Sequence, residues 1–134
     1  MSSRGIPIER VDELVEFGLG EWEGLGFGEL DGRDDWRRFN TFRSGTRAPG
    51  GELMVETQAR MVRQLDRLRE RHPRETVAVV SHADPLRAAI AWFLGIPTDL
   101  TCRFELGTAS VSVVEVHDWG ARVRCLNHTG ESPV

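Results

Sequence analysis

One histidine occupies a position that favours phosphate chemistry. His82 follows the apolar run Thr76–Ser81 and precedes a helix that we expect to begin at Pro85, with Asp84 as its cap. In open α/β sheets ligands bind at the carboxyl ends of the strands, and free N–H groups at a helix N-terminus attract anions. His82 is therefore a candidate for pairing with a bound phosphate. The alternative is a histidine whose ring is hydrogen-bonded to a backbone carbonyl at the strand edge.

A glutamate before a glycine-rich stretch is the second candidate. Glu16 precedes Gly18 and Gly20, in a segment that must turn sharply. Held against the apolar side chains of Phe17 and Trp22, its carboxyl group could donate a proton to a leaving group. From the residues alone, an exposed glutamate at a strand end is the simpler interpretation. The glycine spacing does not match a dinucleotide-binding loop.

The residue types that are absent exclude several kinds of catalysis. All seventeen positive charges are arginine, and the chain has neither lysine nor tyrosine. This excludes a lysine Schiff base, a Walker-type phosphate loop and a tyrosine nucleophile. The other histidines, His72, His117 and His128, have no metal-ligand spacing, so we expect neither a metal nor another cofactor. Cys102 and Cys125 are expected to be reduced thiols.

Charge and hydropathy patterning limit the partners. The formal net charge is −4 and the arginines are spread along the chain, so no nucleic-acid footprint is expected. No apolar run reaches the roughly 18 residues of a membrane span. Residues Met1–Arg10 lack the apolar core of a signal peptide. We therefore expect a cytoplasmic protein with no nucleic-acid or membrane partner.

An α/β arrangement is expected to position these candidate residues. Thr76–Ser81 is a valine-rich run, typical of a strand that is covered on both faces in a parallel sheet. Helical periodicity and turn residues predict the other elements, which are helices near 28–42, 52–71 and 85–94 and a hairpin of strands near 109–117 and 122–126. The order of the elements predicts a mostly parallel central sheet with helices on both faces.

Three motifs occur in a recognisable order. The first is Leu14-Val-Glu16 followed by Gly20-Glu-Trp-Glu-Gly24, the second is Pro49-Gly-Gly-Glu52 leading into a helix with Arg60, and the third is Val79-Val-Ser-His82 followed by Arg87. Together they resemble the L-x-E-x-x-x-G-x-W-E-G, P-G-G-E-S and V-V-S-H-G-x-x-x-R segments of the histidine phosphatase (phosphoglycerate mutase-like) superfamily. The match covers nearly all of the chain, although Ala83-Asp84 replaces the more usual Gly-Gly or Gly-Asn.

The resemblance implies roles for the candidate residues. His82 corresponds to the second histidine of the family, which is hydrogen-bonded to the phosphoryl group and stabilises its charge during transfer. Glu16 corresponds to the glutamate that protonates the leaving oxygen and then activates water. Ala83 and Asp84 are implied to bring backbone N–H groups toward the phosphate, and Glu52 to hold a loop that borders the pocket. The implied activity is metal-free hydrolysis of small phosphomonoesters through a phosphohistidine.

The resemblance also has a gap. In this superfamily the phosphoacceptor histidine lies in an N-terminal Arg-His-Gly motif, and the sequence contains no Arg-His-Gly. Arg71-His72-Pro73 precedes a strand instead of following one, so it is not a substitute. We therefore expect residues 1–134 to form a single, incomplete domain that lacks one or more N-terminal strands and is catalytically impaired.

This gap leaves other functions open. A strand at Thr76–Ser81 without its neighbour has an uncovered edge, which predicts homo-oligomerisation or pairing with another chain. The alternatives to a phosphatase are a non-catalytic module that binds a phosphorylated ligand or a partner, and a mutase-type phosphoryl transfer. The expected partner is a small phosphorylated metabolite whose identity the residues do not specify.

Overall fold

Four helices and one β-hairpin make up the regular structure of the described part of the chain. The computed structural model describes residues 5–130. In chain order, the elements are α1 (Phe27–Leu30), α2 (Asp34–Thr41), α3 (Met54–Arg71), α4 (Ala83–Leu94), β1 (Val111–His117) and β2 (Gly120–His128). Short 3₁₀ turns occur at Asp12–Leu14, Gly20–Trp22 and Thr98–Arg103. None of these helices combines the length and apolar character that crossing a membrane requires.

The longest helix, α3, follows the predicted periodicity closely. Its buried face carries Met54, Thr57, Met61 and Gln64, which recur at helical spacing. The helix begins two residues later than expected because the Glu56 carboxylate accepts a hydrogen bond from the backbone N–H of the preceding cap residue, at 3.0 Å. This face of α3 packs against α4.

Helix α4 carries small residues where it meets α3. Ala88 and Ala91 are fully buried, and the side chain of Gln58 on α3 donates a 2.8 Å hydrogen bond to the Ala88 carbonyl. The helix ends at Gly95, whose left-handed conformation (φ +67°) suits a residue without a Cβ. Small side chains let the two helices approach closely.

The start of α4 differs from the expectation. The helix begins at Ala83 and its N-cap is His82, so Asp84 lies inside the first turn and does not cap it, and Pro85 is not the first helical residue. The Asp84 carboxylate instead pairs with Arg43, 3.0 Å away. A charge partner from another segment therefore competes for the side chain that local sequence assigned to the cap.

The predicted helix near 28–42 is interrupted. It forms α1 and α2, which are separated by a short turn. Phe39 on α2 is buried and packs against Phe17 and Trp22, with ring centroids 5.2 and 5.4 Å apart. Trp36 lies at the edge of this aromatic cluster, which forms the core beneath the glycine-rich segment.

The glycine-rich segment turns against a second glycine-containing loop. Gly20 has φ +56°, and a Cβ there would collide with the carbonyl of Pro49. A Cβ on Gly51 would collide with the carbonyl of Gly18. Two backbones therefore approach each other at a distance that only glycine permits, which brings the segment after Glu16 next to the start of α3.

The sheet is smaller than predicted. β1 and β2 form an antiparallel hairpin around a turn at Asp118–Trp119, which confirms the expected hairpin. The α/β class is also observed, but within residues 5–130 this two-stranded sheet is the only one, and no mostly parallel central sheet is present. Thr76–Ser81 is not a buried strand, because no described strand pairs with it, and Val77 and Val80 are 39% and 87% exposed.

Candidate functional site

The structure brings Glu16 and His82 together. Nδ1 of His82 lies 3.6 Å from Oε2 of Glu16, and the two side chains are 57% and 45% exposed. At this distance the groups face each other without a normal hydrogen bond. Both side chains are about half exposed, so a third group placed beside the pair can contact both of them.

Each side chain departs from one sequence-based interpretation. Phe17 and Trp22 are buried in the aromatic core, at 3% and 1% exposure, whereas Glu16 lies half exposed and is not enclosed by them. One carboxylate oxygen of Glu16 accepts a 2.8 Å hydrogen bond from the Phe17 backbone N–H. The ring of His82 is solvent-exposed, and no hydrogen bond from it to a carbonyl occurs among residues 5–130.

Helix α4 presents free donors beside this pair. Ala83 and Asp84 are its first two residues, so their N–H groups have no partner within the helix. The positive end of the helix dipole lies at the same place. These donors adjoin His82 directly, because His82 is the N-cap residue. The arrangement is chemically suited to an anion that accepts hydrogen bonds from the backbone and from the imidazole.

The side chain of Asp84 is occupied elsewhere. Its Oδ1 lies 3.0 Å from Nη1 of Arg43 and 3.6 Å from Nη1 of Arg87. Arg43 is buried, donates to the Asn40 side chain at 3.0 Å and lies over the Phe39 ring, 4.9 Å from its centroid. These two guanidinium groups compensate the negative charge of Asp84, which would otherwise oppose an anion at the start of the helix.

A partly buried ion pair lies next to the Glu16 segment. Both carboxylate oxygens of Glu52 accept hydrogen bonds from Arg60, at 2.9 and 3.0 Å. Glu52 also accepts from the Gly18 backbone N–H at 2.7 Å and from the Thr57 hydroxyl at 3.1 Å. Burial raises the pKa of Glu52, but the hydrogen bonds from Arg60 and Gly18 outweigh it and hold that pKa below its usual value.

Sequence reasoning missed two residues that support the site. Arg60 donates to backbone carbonyls of the segment that carries Glu16, and Arg43 binds Asp84. The position of Arg60 in the second motif was visible in the sequence, but its partners were not. For Arg43 no local signal was available, since its partner lies 41 residues further along the chain.

Two curated relatives align with almost all of this chain. A bifunctional protein of Mycobacterium tuberculosis is 37% identical, over 96% of this chain and 36% of its own length. Phosphoserine phosphatase 1 of Hydrogenobacter thermophilus is 28% identical, over 96% of this chain and 64% of its own length. The chain thus spans about a third of the first protein and just under two thirds of the second.

Solved structures share the fold. The YhfR protein of Bacillus stearothermophilus superimposes with a TM-score of 0.88 and 27% identity, over 94% of this chain and 64% of that one. A mycobacterial glucosyl-3-phosphoglycerate phosphatase, solved with inorganic phosphate, superimposes with a TM-score of 0.72 and 25% identity, over 90% of this chain and 65% of that one.

A family model covers almost the whole sequence. The model of the histidine phosphatase superfamily (branch 1) matches residues 1–129. The three motifs on which the resemblance depends all lie inside this range. The relatives and the superimposed structures agree with the match, and the chain belongs to the histidine phosphatase superfamily (branch 1).

Proposed function

We propose that the Glu16–His82 site serves the hydrolysis of small phosphomonoesters. The observation that carries the proposal is the juxtaposition of a carboxyl group, an imidazole and the free N–H groups of a helix N-terminus. A phosphoryl group needs donors for its non-bridging oxygens and an acid for the leaving oxygen. The three features together offer both kinds of group at one place.

The roles follow from the chemistry of each group. The N–H groups of Ala83 and Asp84 and a protonated His82 hold the phosphoryl oxygens and stabilise the charge that develops on them during transfer. Glu16, in its protonated form, donates a proton to the leaving alcohol oxygen. The resulting carboxylate can then take a proton from the water that attacks the phosphoenzyme.

A phosphoacceptor completes this mechanism. In the superfamily pattern it is the histidine of an Arg-His-Gly motif, and the sequence holds no such motif. Within residues 5–130, His82 is the one histidine that belongs to the superfamily motifs identified above. We therefore expect this chain by itself to bind phosphate and to turn over little or no ester.

The absence of an Arg-His-Gly motif also favours a second candidate function. A non-catalytic module would use the His82 and α4 donors to bind a phosphorylated ligand and would not require a phosphoacceptor. Binding alone requires only the donors, whereas hydrolysis also requires an acid at Glu16. Measuring how substitutions of His82 and Glu16 change phosphate binding and ester turnover therefore distinguishes the two functions.

The names of the relatives support a phosphatase over a mutase. The Hydrogenobacter relative is named as a phosphoserine phosphatase, and the superimposed mycobacterial structure is that of a phosphatase with inorganic phosphate bound. We infer from these names a small phosphorylated metabolite as the substrate of the complete site. Which metabolite it is depends on residues that contact the alcohol portion.

The test measures binding and turnover on the same preparations. Titration calorimetry with inorganic phosphate is expected to show binding that His82→Ala weakens about tenfold or more, since a hydrogen bond to a charged group is worth about 1.5–3 kcal/mol. His72→Ala is the matched control, because His72 pairs with the exposed Glu75 and lies in none of the three superfamily motifs. Unchanged affinity in His82→Ala contradicts the proposed site.

Turnover then decides between the two candidates. Hydrolysis of p-nitrophenyl phosphate that disappears in His82→Ala and falls in Glu16→Gln supports the phosphatase. Phosphate binding without hydrolysis in the wild-type chain assigns residues 1–134 by themselves to binding, as the missing Arg-His-Gly motif predicts. Hydrolysis that survives both substitutions places the activity elsewhere and contradicts the roles proposed for these two residues.

A further inference from the structure

We infer that Arg60 and Ser81 are positioning residues that set the relation between Glu16 and His82. The inference rests on the proposed function, because it concerns how the two groups of that site are held. It assigns to Arg60 and Ser81 no contact with substrate. It predicts that their loss changes the surroundings of His82 in the same way as the loss of the Glu16 carboxylate.

Every donor of Arg60 is used. A guanidinium group carries five N–H bonds, and Arg60 makes five hydrogen bonds. Two go to Glu52, from Nε at 2.9 Å and from Nη2 at 3.0 Å. Three go to backbone carbonyls, from Nη1 to Glu13 at 2.6 Å and Val15 at 2.9 Å, and from Nη2 to Glu16 at 2.9 Å.

Ser81 binds the one carbonyl of residues 13–16 that Arg60 does not bind. Its hydroxyl donates a 2.7 Å hydrogen bond to the carbonyl of Leu14. Four consecutive carbonyl oxygens, those of residues 13–16, therefore each accept a hydrogen bond from either Arg60 or Ser81. Ser81 immediately precedes His82, so its bond ties the backbone before the histidine to the backbone before Glu16.

Residues 13–16 need these hydrogen bonds because no regular helix or strand ladder holds their backbone in place. Residues 13–16 comprise the end of a 3₁₀ turn and an extended stretch that pairs with no described strand. Ordering such a backbone costs conformational entropy at every residue. The Arg60 side chain is only 12% exposed, and Glu52 fixes its orientation through two hydrogen bonds. A rigid planar donor group thus holds the Glu16 backbone in place.

The test follows the ring signals of His82 by NMR at one fixed pH. Glu16→Gln removes the carboxylate charge and sets the reference shift. Arg60→Lys keeps the positive charge but offers three donors in place of five, so we expect the His82 signals to shift in the same direction as in Glu16→Gln. The double variant Glu16→Gln/Arg60→Lys should shift them no further than Glu16→Gln alone, because both changes act through one group.

Matched variants separate positioning from general loosening. Ser81→Ala should also shift the His82 signals. Ser81→Thr keeps a hydroxyl donor, so its His82 signals should stay at their wild-type positions. Arg67→Lys is the control on the same helix, because Arg67 is exposed and binds the side chain of Glu13 and no carbonyl of the segment. It should leave the His82 signals at their wild-type positions.

The possible outcomes distinguish the inference from the proposed function. If Glu16→Gln shifts the His82 signals and neither Arg60→Lys nor Ser81→Ala does, the inference is wrong and the proposed function stands. If Glu16→Gln has no effect, the pairing is absent and both are wrong. If the shifts are coupled as expected but no phosphate binds, the positioning is confirmed and the proposed function is wrong.

Discussion

The imidazole of His82 and the carboxylate of Glu16 face each other at 3.6 Å, and each is carried by a backbone that belongs to no β-ladder among residues 5–130. His82 is oriented by the start of α4. Glu16 is held by hydrogen bonds from Arg60 to its backbone and to that of Val15. The geometry of the pair thus depends on side-chain contacts with the backbone, and it can be altered by substitutions that touch neither residue.

Substitution of Glu16 is expected to separate binding from catalysis. An ionised carboxylate close to a bound phosphate repels it, so Glu16→Gln should tighten the binding of inorganic phosphate about two- to fivefold near neutral pH, in line with a like-charge interaction of roughly 0.5–1 kcal/mol. Titration calorimetry measures this change. The exposed carboxylate of Glu70 on α3 supplies the control, Glu70→Gln, which should not alter the affinity. Weaker binding in Glu16→Gln would contradict the repulsion, since it would show a carboxyl group that donates a hydrogen bond to the phosphate.

The Glu52–Arg60 pair predicts a loss of stability in acid. The folded-state pKa of Glu52 lies below the value of 4.5 that the unfolded chain retains. The contribution of this group to stability is therefore fully present above that pH and is lost as the pH falls through the lowered folded pKa. Urea unfolding at several pH values should show a steeper acid decline in the wild type than in Glu52→Gln. Parallel pH profiles for the two proteins would contradict the pairing.

The partly buried pair between Arg43 and Asp84 predicts a loss of stability when Arg43 is replaced. Arg43→Met removes a partner of Asp84 and the hydrogen bond to Asn40. Breaking a buried pair costs about 3–5 kcal/mol, but Asp84 is 26% exposed and retains Arg87 at 3.6 Å, so we expect about 1–3 kcal/mol here. The midpoint of urea unfolding measures the loss.

A surface pair provides the control for that experiment. Arg37 and Asp34 form an exposed ion pair on α2, and exposed pairs contribute about 0–1 kcal/mol. Arg37→Met should therefore change the free energy of unfolding far less than Arg43→Met. Equal effects of the two substitutions would mean that Arg43 contributes little as a buried charge partner.

The unpaired segment Thr76–Ser81 predicts self-association. Val80 is 87% exposed, and the segment has no strand partner among the described residues, so a second chain can pair along it. Size-exclusion chromatography should show an apparent mass that rises with concentration, and Val80→Arg should reduce this rise. Val55→Arg, at a 38% exposed position on α3, is the control. A stable monomer at all concentrations would contradict this prediction.

Local patterns in the sequence were sufficient for several elements. The helical stripe of α3, the glycine that ends α4 and the turn between β1 and β2 depend on residues a few positions apart, and the expected elements formed there within a few residues. The three superfamily motifs were equally local, and the family match confirms the resemblance that they indicated. Short-range periodicity, capping and turn preferences act within single segments, so one sequence contains what is needed to recognise them.

Contacts between segments that are distant in the sequence were determined only by the tertiary structure. The predicted strand at Thr76–Ser81 was wrong for the described residues because a strand requires a partner, which its own composition cannot supply. The role of Asp84 changed because Arg43 reaches it across 41 positions. The sequence by itself determined that Glu16 and His82 are present in recognisable motifs. Their approach to 3.6 Å depends on Arg60 and Ser81 binding one stretch of backbone, which only the folded chain brings together.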